Sequence, residues 1–360
     1  MTWYIDRGPK SNFVISSRVR LARNIEGHPF PNRMSSDEAK RLATEIKDNF
    51  FSANSGMRDQ YLDVVLSELN PEERLSLVER RLISEDLLKH SAGRAIISRD
   101  ESASIMINEE DHIRVQVMTS GFNIKQAYDE AVNITKIFEE RLPVAFDNRY
   151  GFLTACPTNT GTGLRASVMM HLPAITERGQ IRDLVANLQK LGFTVRGNFG
   201  ENSRASGYLY QISNQITLGL SEEDLISDLE KAVMQTIELE EEARRLIYEH
   251  RPLETEDKVF RALGVLQSAR ILSSEEALRL ISDIRLGVEM NILKDISQEQ
   301  LNRLQVSIGP GTIQKARGHS LETLERDQYR AELCRYYLTN KKSVEAVSSR
   351  EEKQVEGEQT

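Results

Sequence analysis

Hydrophobic and polar positions follow different patterns in the two parts of the chain. Between residues 12 and 220, short stretches rich in β-branched residues, such as NFVISSRVRL, SASIMI and IRVQVM, are separated by polar turns. This pattern predicts strands, because successive side chains of a strand point to opposite faces of a sheet. Residues 71–82 have the pattern of a helix. We therefore predict a mixed α and β domain in the first part of the chain.

From Ser221 onward the pattern is helical. Ser221 with Asp224 forms a capping box, and the apolar positions that follow make one helix stripe: Leu225, Ile226, Leu229, Val233 and Ile237. Further helices are predicted from about Glu254, from Ser274 and from Ser297, where SQEQ is a second capping box. A last helix contains LERDQYRAELCRYYL. The polar tail, residues 341–360, is predicted to be disordered.

Composition and charge exclude several classes of protein. A chain of 360 residues that is 39% hydrophobic and 28% charged can bury a core, and its length suggests about two domains. The net charge of -8 argues against binding nucleic acid through an overall basic surface. No apolar run approaches the roughly 20 residues of a membrane helix. Two cysteines without a CxxC pair, and a start without a secretory signal, lead us to expect a cytoplasmic protein.

The stretches that carry the chemistry contain arginines. In VISSRVRLAR, strand alternation places Ser16, Arg18 and Arg20 on one face, whereas Ile15 joins the apolar residues on the other. An exposed polar strand face would show the same pattern. This stretch alone therefore does not distinguish a binding site from an ordinary surface.

The second stretch, NEEDHIRVQ, follows an apolar strand. If the chain stays extended, Glu110, His112 and Arg114 share a face, so that acidic and basic groups project together. Solvated ion pairs on surface strands have the same composition and contribute little to stability. Both interpretations remain open at this point.

The third and fourth stretches contain glycines. In CPTNTGTGLRAS, Arg165 follows Cys156 at nine residues, whereas a tyrosine phosphatase loop needs arginine where Thr162 stands, and a P-loop needs a lysine that is absent. A lone cysteine is usually a small buried hydrophobe, but hydroxyls, an amide and an arginine favour a thiolate here. VRGNFGENSRASG contains Arg196 and Glu201 among glycines that allow a ligand to approach the backbone.

Together these stretches resemble the guanidino (phosphagen) kinase family. SSRVR, NEEDHIR, CPTNTGTGLRAS and VRGNFGE occur in the family's order between about residues 12 and 240. The resemblance implies an α+β fold, with a catalytic domain over residues 1–245 built on a mainly antiparallel sheet flanked by helices. An α-helical domain over residues 246–340 would follow it.

The resemblance also implies roles for these residues. ATP would be bound by Ser16, Arg18, Arg20, Arg114, Arg165 and Arg196. Glu110 and Glu201 would hold the acceptor guanidinium, with Cys156 beside it, and Mg²⁺ would arrive with ATP rather than at a metal site of the protein. Deprotonating a guanidinium at pH 7 costs about 7.5 kcal/mol. The glutamates would therefore orient the acceptor and take its proton only as the new bond forms.

The acceptor is expected to be an arginine within a polypeptide. Metabolite kinases of this family have a helical domain ahead of the SxRxR strand, whereas about fifteen residues precede Arg18 here. The chain resembles the bacterial protein arginine kinases of the family, in which an RDxxRA motif binds phosphoarginine; it corresponds here to Arg326, Asp327, Arg330 and Ala331. At positions i and i+4 the two arginines would share one helix face and could grip one phosphate, although ordinary surface charges show the same spacing.

That resemblance implies a set of partners. Protein substrates would be marked for a Clp-type protease in the stress response, and an activating partner protein would take part. The apolar stripes of the helical domain further suggest a homodimer, with no direct contact to nucleic acid or membrane. A free-arginine kinase and a non-catalytic phosphoarginine-binding adaptor are the alternative functions.

Overall fold

The computed structural model describes residues 3–197 and 206–339, which form ten strands and twelve α-helices. The strands are β1 (Val14–Arg23), β2 (Tyr61–Val65), β3 (Arg94–Ser98), β4 (Ala103–Ile107), β5 (Ile113–Ser120), β6 (Phe146–Asp147), β7 (Gly151–Phe152), β8 (Leu164–His171), β9 (Phe193–Gly197) and β10 (Leu209–Asn214). The helices are α1 (Ser36–Ser52), α2 (Met57–Gln60), α3 (Pro71–Glu79), α4 (Ile124–Glu139), α5 (Pro173–Glu177), α6 (Ile181–Lys190), α7 (Glu222–His250), α8 (Pro252–Ser268), α9 (Ser274–Glu289), α10 (Gln298–Ser307), α11 (Pro310–Arg317) and α12 (Thr323–Thr339).

Eight of the strands form one sheet in the order β2-β3-β4-β5-β1-β8-β10-β9. Every neighbouring pair in it is antiparallel. The predicted α+β fold, a mainly antiparallel sheet followed by helices, is therefore confirmed. Within the described ranges, no helix has the length and apolar composition needed to cross a membrane.

Strand β1 lies at the centre of the sheet, between β5 and β8. Val19 and Leu21 are fully buried on the face that packs against α4. The pairing with β8 shifts between Val14 and Ser16, which makes Ile15 an extra residue, a β-bulge. The prediction that Ile15 lies on the apolar face is therefore wrong. Val14 is fully buried in the core, and Ile15 is half-buried beside Ser16.

The long helix predicted from Ser221 is confirmed as α7. Its start is capped by Ser221, whose Oγ accepts a hydrogen bond from the amide of Asp224 at 3.1 Å. All five residues of the predicted stripe are buried. The proposed boundary at residues 245 and 246 falls inside α7, although one hydrophobic cluster ends at Ala243 and the next begins at Val259. The division into domains stays a prediction.

The later helices also follow the predictions. Helix α8 begins two residues earlier than expected, at Pro252, and α9 begins at Ser274. The capping box of Ser297 with Gln300 is present at the start of α10. The residues of LERDQYRAELCRYYL lie in α12, whereas α11 was not predicted from the sequence.

Helix α3 ends at Glu79, three residues before the predicted end. Arg81 has a φ of 62°, in the left-handed region, and the amide of Leu82 donates to the carbonyl of Leu77 at 2.9 Å. This is the closing pattern in which glycine usually takes the left-handed position. Arginine is strained in that conformation, so the chain holds Arg81 there at some cost in stability.

Candidate active site

Five arginines lie on one face of the sheet, which we call the arginine face: Arg18 and Arg20 on β1, Arg114 on β5, Arg165 on β8 and Arg196 on β9. Arg20 is paired directly with Arg165, and Ala22, on the same side of β1, is paired with Arg114. Directly paired residues share a face in an antiparallel sheet. The strand pairing itself therefore brings these side chains together.

The remaining two arginines are connected through β10. Arg18 donates from Nη2 to Oε1 of Gln211 at 2.9 Å, and Gln211 is paired directly with Arg196. Arg18 is also paired with Ser167, whose Oγ accepts from Arg18 Nε at 3.4 Å. Ser167 on β8 and Gln211 on β10 therefore hold the side chain of Arg18, and Gln211 connects it to Arg196 on β9.

The arginine face holds positive charge at close range. Burial, followed by neighbouring arginines, lowers the pKa of Arg18 to about 9, and the same causes lower the pKa values of Arg20 and Arg165. Nε of Arg20 and Nε of Arg165 are buried and have no hydrogen-bond partner among the described residues. Buried cations without compensating anions are costly, and a multiply charged anion would stabilise all of them.

Two neighbouring carboxylates bind Arg114. Glu109 Oε2 lies 2.5 Å from Nη1, and Glu110 Oε2 lies 3.0 Å from Nη2. The side chain of Glu109 is 1% exposed, whereas that of Glu110 is 41% exposed. Burial is the main cause that raises the pKa of Glu110 above its ordinary value. Glu109 is thus a structural partner of Arg114, and Glu110 is available at the surface to a cation.

The cysteine loop, residues 153–163, lies against Glu110. Asn159 Nδ2 donates to Glu110 Oε2 at 3.4 Å, and Cys156 lies within hydrogen-bonding reach of the same carboxylate. The buried Asp111 holds this loop, because its Oδ1 accepts from the amide of Ala155 and from Asn24 Nδ2, both at 2.7 Å. Sequence analysis missed this function of Asp111, although the residue belongs to the NEEDHIR stretch.

His112 does not share a face with Glu110 and Arg114, so that prediction is wrong. Residues 108–112 form a turn rather than a strand, and the fully buried His112 accepts at Nδ1 from the amide of Ile25 at 2.9 Å. Its Nε2 donates to the carbonyl of Pro29 at 2.8 Å. Burial lowers the pKa of His112, which favours the neutral ring. The residue fastens the end of β1 to the turn.

Two family models match this chain. The model described as ATP:guanido phosphotransferase, C-terminal catalytic domain, matches residues 42–243, and that of the Protein-arginine kinase McsB C-terminal domain matches residues 252–352. A protein-arginine kinase of Clostridium kluyveri is 46% identical over 326 residues, covering 90% of this chain and 94% of the relative. That of Bacillus subtilis is 42% identical, covering 94% and 93%. This chain belongs to the ATP:guanido phosphotransferases, in the protein-arginine kinase family.

Solved structures agree with this membership. Lombricine kinase aligns with a TM-score of 0.56 at 26% identity, over 67% of this chain and 71% of its own. The duplicated taurocyamine kinase from Schistosoma mansoni aligns with a TM-score of 0.57 at 27% identity, over 74% of this chain and 38% of its own. The resemblance found in the sequence is confirmed, and the chain is a kinase of a family whose description names ATP.

The match to the catalytic domain begins after β1, at residue 42. Arg18 and Arg20 therefore lie outside the matched range. They are connected to it by the pairing of β1 with β5 and β8, both of which lie within it.

Arg81 is a sixth cation that sequence analysis missed. Its charge is, after burial, the largest cause that lowers the pKa of Arg18. It lines the same cleft as Arg18 and Arg20. The sequence ERRLIS carries no signal for this role, because only the left-handed end of α3 directs Arg81 to the arginine face.

This cleft has a volume of about 600 Å³ and separates the arginine face from the later helices. Arg18, Arg20 and Gln116 form its floor, and Leu278, Ile308 and Pro310 from the helical part lie among its walls. Glu79, at the end of α3, accepts hydrogen bonds from the amides of Gly311 and Thr312 at 2.6 and 2.8 Å. The helical part is thereby fastened to the rim of the cleft.

The RDxxRA motif has a different geometry from the one its spacing suggested. Arg330 is 1% exposed and donates to the carbonyls of Ile308 and Leu272, at 3.0 and 2.8 Å, and to Asp327 Oδ1 at 2.5 Å. Arg326 donates to the carbonyl of Leu321 at 2.8 Å. The two guanidinium groups therefore do not face one common phosphate here. Ala331 is fully buried, and phosphoarginine binding by the motif stays a prediction.

Ser16 and Glu201 are the two remaining residues that the sequence predicts at the site. Ser16 is 5% exposed and lies at one end of the arginine face, paired with Met169. Glu201 lies outside the described residues. Among the residues that the structure describes, no group of three His, Cys, Asp or Glu side chains could hold a metal ion.

Proposed function

We propose that this kinase transfers the γ-phosphate of ATP to the guanidinium group of arginine residues in proteins. The observation that carries the proposal is the arginine face, in which Nε of Arg20 and Nε of Arg165 are buried without a hydrogen-bond partner among the described residues, close to the exposed carboxylate of Glu110. A triphosphate supplies the missing negative charge, and Glu110 offers a contact to a cationic acceptor. The relatives named protein-arginine kinase support the same acceptor.

In this proposal the arginines position the donor and the carboxylates position the acceptor. Arginine forks match phosphate oxygens, and Mg²⁺ would arrive bound to ATP. A guanidinium nitrogen attacks the γ-phosphorus, the bond from phosphorus to the bridging oxygen of ADP breaks, and the proton released passes to Glu110. Cys156 adds a second contact to the acceptor, and Glu201 is proposed as the second carboxylate.

The exposure of the acceptor end favours protein arginine over the free amino acid. The Glu110 side chain is 41% exposed, whereas Arg18 and Arg20 line a cleft that residues of the later helices also line. An arginine side chain that is still attached to a polypeptide can therefore approach Glu110 from solvent. The donor is held deeper in the protein.

The test is incubation with ATP, Mg²⁺ and a mixed protein substrate, with free arginine in parallel. Mass spectrometry under conditions that preserve acid-labile phosphate should detect phosphoarginine within the proteins. Phosphate on free arginine alone would indicate a free-arginine kinase. Binding of phosphoarginine without any transfer would indicate an adaptor.

By family resemblance the proposal extends to the cellular role. The product would mark proteins for a Clp-type protease in the stress response of the cytoplasm, with an activating partner protein and a homodimeric enzyme. A reconstituted Clp-type protease should then degrade a phosphorylated substrate faster than the same substrate that was never phosphorylated. Equal rates would contradict this role without affecting the proposed reaction.

A further inference from the structure

Four aliphatic side chains lie exposed at the end of the sheet that carries the cysteine loop. We call them the apolar row: Leu191, directly after α6, and Ile216, Leu218 and Leu220, between β10 and α7. Their exposed fractions are 63%, 52%, 52% and 43%. Single exposed aliphatic residues are ordinary, whereas a contiguous group of them usually marks a surface that binds another molecule.

The two parts of the apolar row are in contact with each other. The amide of Gln215 donates to the carbonyl of Gly192 at 3.0 Å. Cδ1 of Ile216 lies 3.5 Å from the position that a Cβ of residue 192 would take. Leu191, the neighbour of Gly192, is therefore brought beside Ile216, and the exposed aliphatic surface continues across the two segments.

Thr217 fastens the apolar row to the cysteine loop. This residue is buried, and its Oγ1 lies 3.0 Å from the carbonyl oxygen of Thr158 and 2.7 Å from that of Thr160. Thr158 and Thr160 are the two neighbours of Asn159, which donates to Glu110 Oε2. The row is therefore attached to the part of the loop that contacts the carboxylate proposed to bind the acceptor.

The main chain of the row also lies directly against this loop. Gly161 has a φ of 115°, and a Cβ there would lie 2.5 Å from the carbonyl oxygen of Thr217 and 3.0 Å from Cα of Leu218. Glycine permits this approach, because a side chain at this position would collide with the neighbouring backbone. The exposed aliphatic surface therefore adjoins the acceptor end of the site.

A polypeptide acceptor is long enough to reach the apolar row. An extended chain advances about 3.3 Å per residue, so residues a few positions from the target arginine extend well beyond Glu110. The charges beside the row suit a segment that contains arginine, because α7 begins there with Glu222, Glu223 and Asp224. Such carboxylates attract a basic segment and repel an acidic one.

We propose that the apolar row binds apolar side chains that lie a few positions from the target arginine of a protein substrate. The inference rests on the proposed function and deepens it, because it names the kind of polypeptide that the site prefers. Arginines in apolar segments are phosphorylated faster than arginines in polar segments. An arginine without flanking residues does not reach the row.

The experiment uses peptides that contain a single arginine in a background of glycine and serine. One peptide has leucines a few positions away on either side of the arginine, its partner has serines there, and N-acetylarginine amide is the acceptor without flanking residues. The unmodified full-length protein is compared with Ile216→Ser, Leu218→Ser and Leu220→Ser. Leu62→Ser is the matched control, because Leu62 is 44% exposed on β2, at the opposite edge of the sheet from β9.

The unmodified protein should phosphorylate the leucine peptide with a kcat/KM about tenfold above that of the serine peptide, through partial burial of the leucines. Each variant of the row should reduce this preference to roughly threefold, and Leu62→Ser should keep it. The change should lie in KM rather than in kcat, because the flanking contacts are the same in ground state and transition state. Turnover of N-acetylarginine amide should stay the same in every variant.

Equal kcat/KM values for the two peptides in the unmodified protein would overturn the proposal, and this comparison needs no variant. Retention of the full preference in the three folded variants, checked by circular dichroism, would also overturn it. So would an equal loss of turnover with N-acetylarginine amide, since that would indicate damage to the cysteine loop. A changed oligomeric state with the preference retained would assign the row to contacts between copies of the chain instead.

The outcome for the proposed function is separate. If the unmodified protein phosphorylates arginine in both peptides at equal rates, the proposed function stands and the role of the apolar row fails. If it phosphorylates arginine in no peptide or protein, the proposed function fails. Equilibrium binding of the leucine and serine peptides to the unmodified protein and to Leu218→Ser then decides the role of the row.

Discussion

Arg20 on the sheet and Arg330 on α12 are both largely buried, yet their surroundings differ. Arg330 donates to two main-chain carbonyls and to Asp327, so its burial is compensated within the protein. Burial, followed by the charges of Arg18, Arg114 and Arg165, lowers the pKa of Arg20 against the opposing effect of Glu109, and its Nε has no partner among the described residues.

The difference indicates what each residue does. A buried cation that is bonded to carbonyls and a carboxylate, as Arg330 is, holds the fold together, whereas cations gathered with too few anions destabilise it. Under the proposed function such a cluster persists because the phosphates of ATP bind it, and strain of this kind concentrates at functional sites. The partners of an arginine, rather than its burial or its spacing, therefore separate the binding site from the framework.

The largest effect is expected on stability from Arg330→Ala. Removing this guanidinium leaves the half-buried Asp327 and two main-chain carbonyls without their donor, so the free energy of unfolding should fall by roughly 3–5 kcal/mol. Urea denaturation measures the loss. Arg326→Ala is the matched control and should cost only about 1 kcal/mol, because Arg326 is half-buried. Equal losses would erase the distinction between the two arginines of the motif.

Arg20→Leu should have the opposite effect on stability and should lower turnover. Turnover should fall by about 10²–10³, the usual cost of one preorganised electrostatic contact. The free energy of unfolding should rise by roughly 1–4 kcal/mol, because a buried charge that lies among other cations is replaced by an apolar side chain. Steady-state kinetics and urea denaturation test both halves. A variant that loses stability would show that Arg20 belongs to the framework.

Glu110→Gln should lower turnover by at least about a hundredfold if Glu110 orients the acceptor. The raised pKa of Glu110 also sets a pH dependence. The ionised form binds the acceptor, so activity is present above this pKa and is lost as pH falls through it, at a higher pH than for an ordinary glutamate. The pH profile of kcat/KM should show this acidic limb.

The acidic limb of the pH profile should be absent from the residual activity of Glu110→Gln. Glu26→Gln, at an exposed position outside the site, should behave like the unmodified enzyme. An unchanged rate in Glu110→Gln would remove this carboxylate from the mechanism.

Arg81→Gly tests the smallest of these effects. The KM for ATP should rise about tenfold through loss of one charge contact. The protein should not be destabilised, because glycine adopts the left-handed conformation of this position without strain. Thermal unfolding and kinetics measure the two effects. A large fall in Tm would mean that the side chain of Arg81 supports the fold rather than the donor.

Much of the site was predictable because it depends on local rules. Strand alternation placed Arg18 and Arg20 on one face, and the capping residues Ser221 and Ser297 marked helix starts correctly. The failures occurred where pairing or a turn overrode the pattern. The bulge moved Ile15 out of the apolar face, and the turn at residues 108–112 directed His112 into the interior.

The sequence by itself determined which side chains alternate, where helices begin and which motifs carry charge, because these follow from backbone periodicity and capping over a few residues. Only the tertiary structure decided which strands pair, that Arg81 joins the arginine face, that Arg330 is buried, and that α10 closes the cleft. These outcomes depend on packing between segments far apart in the chain. No local pattern encodes them, because their energy is shared among partners that the sequence does not place side by side.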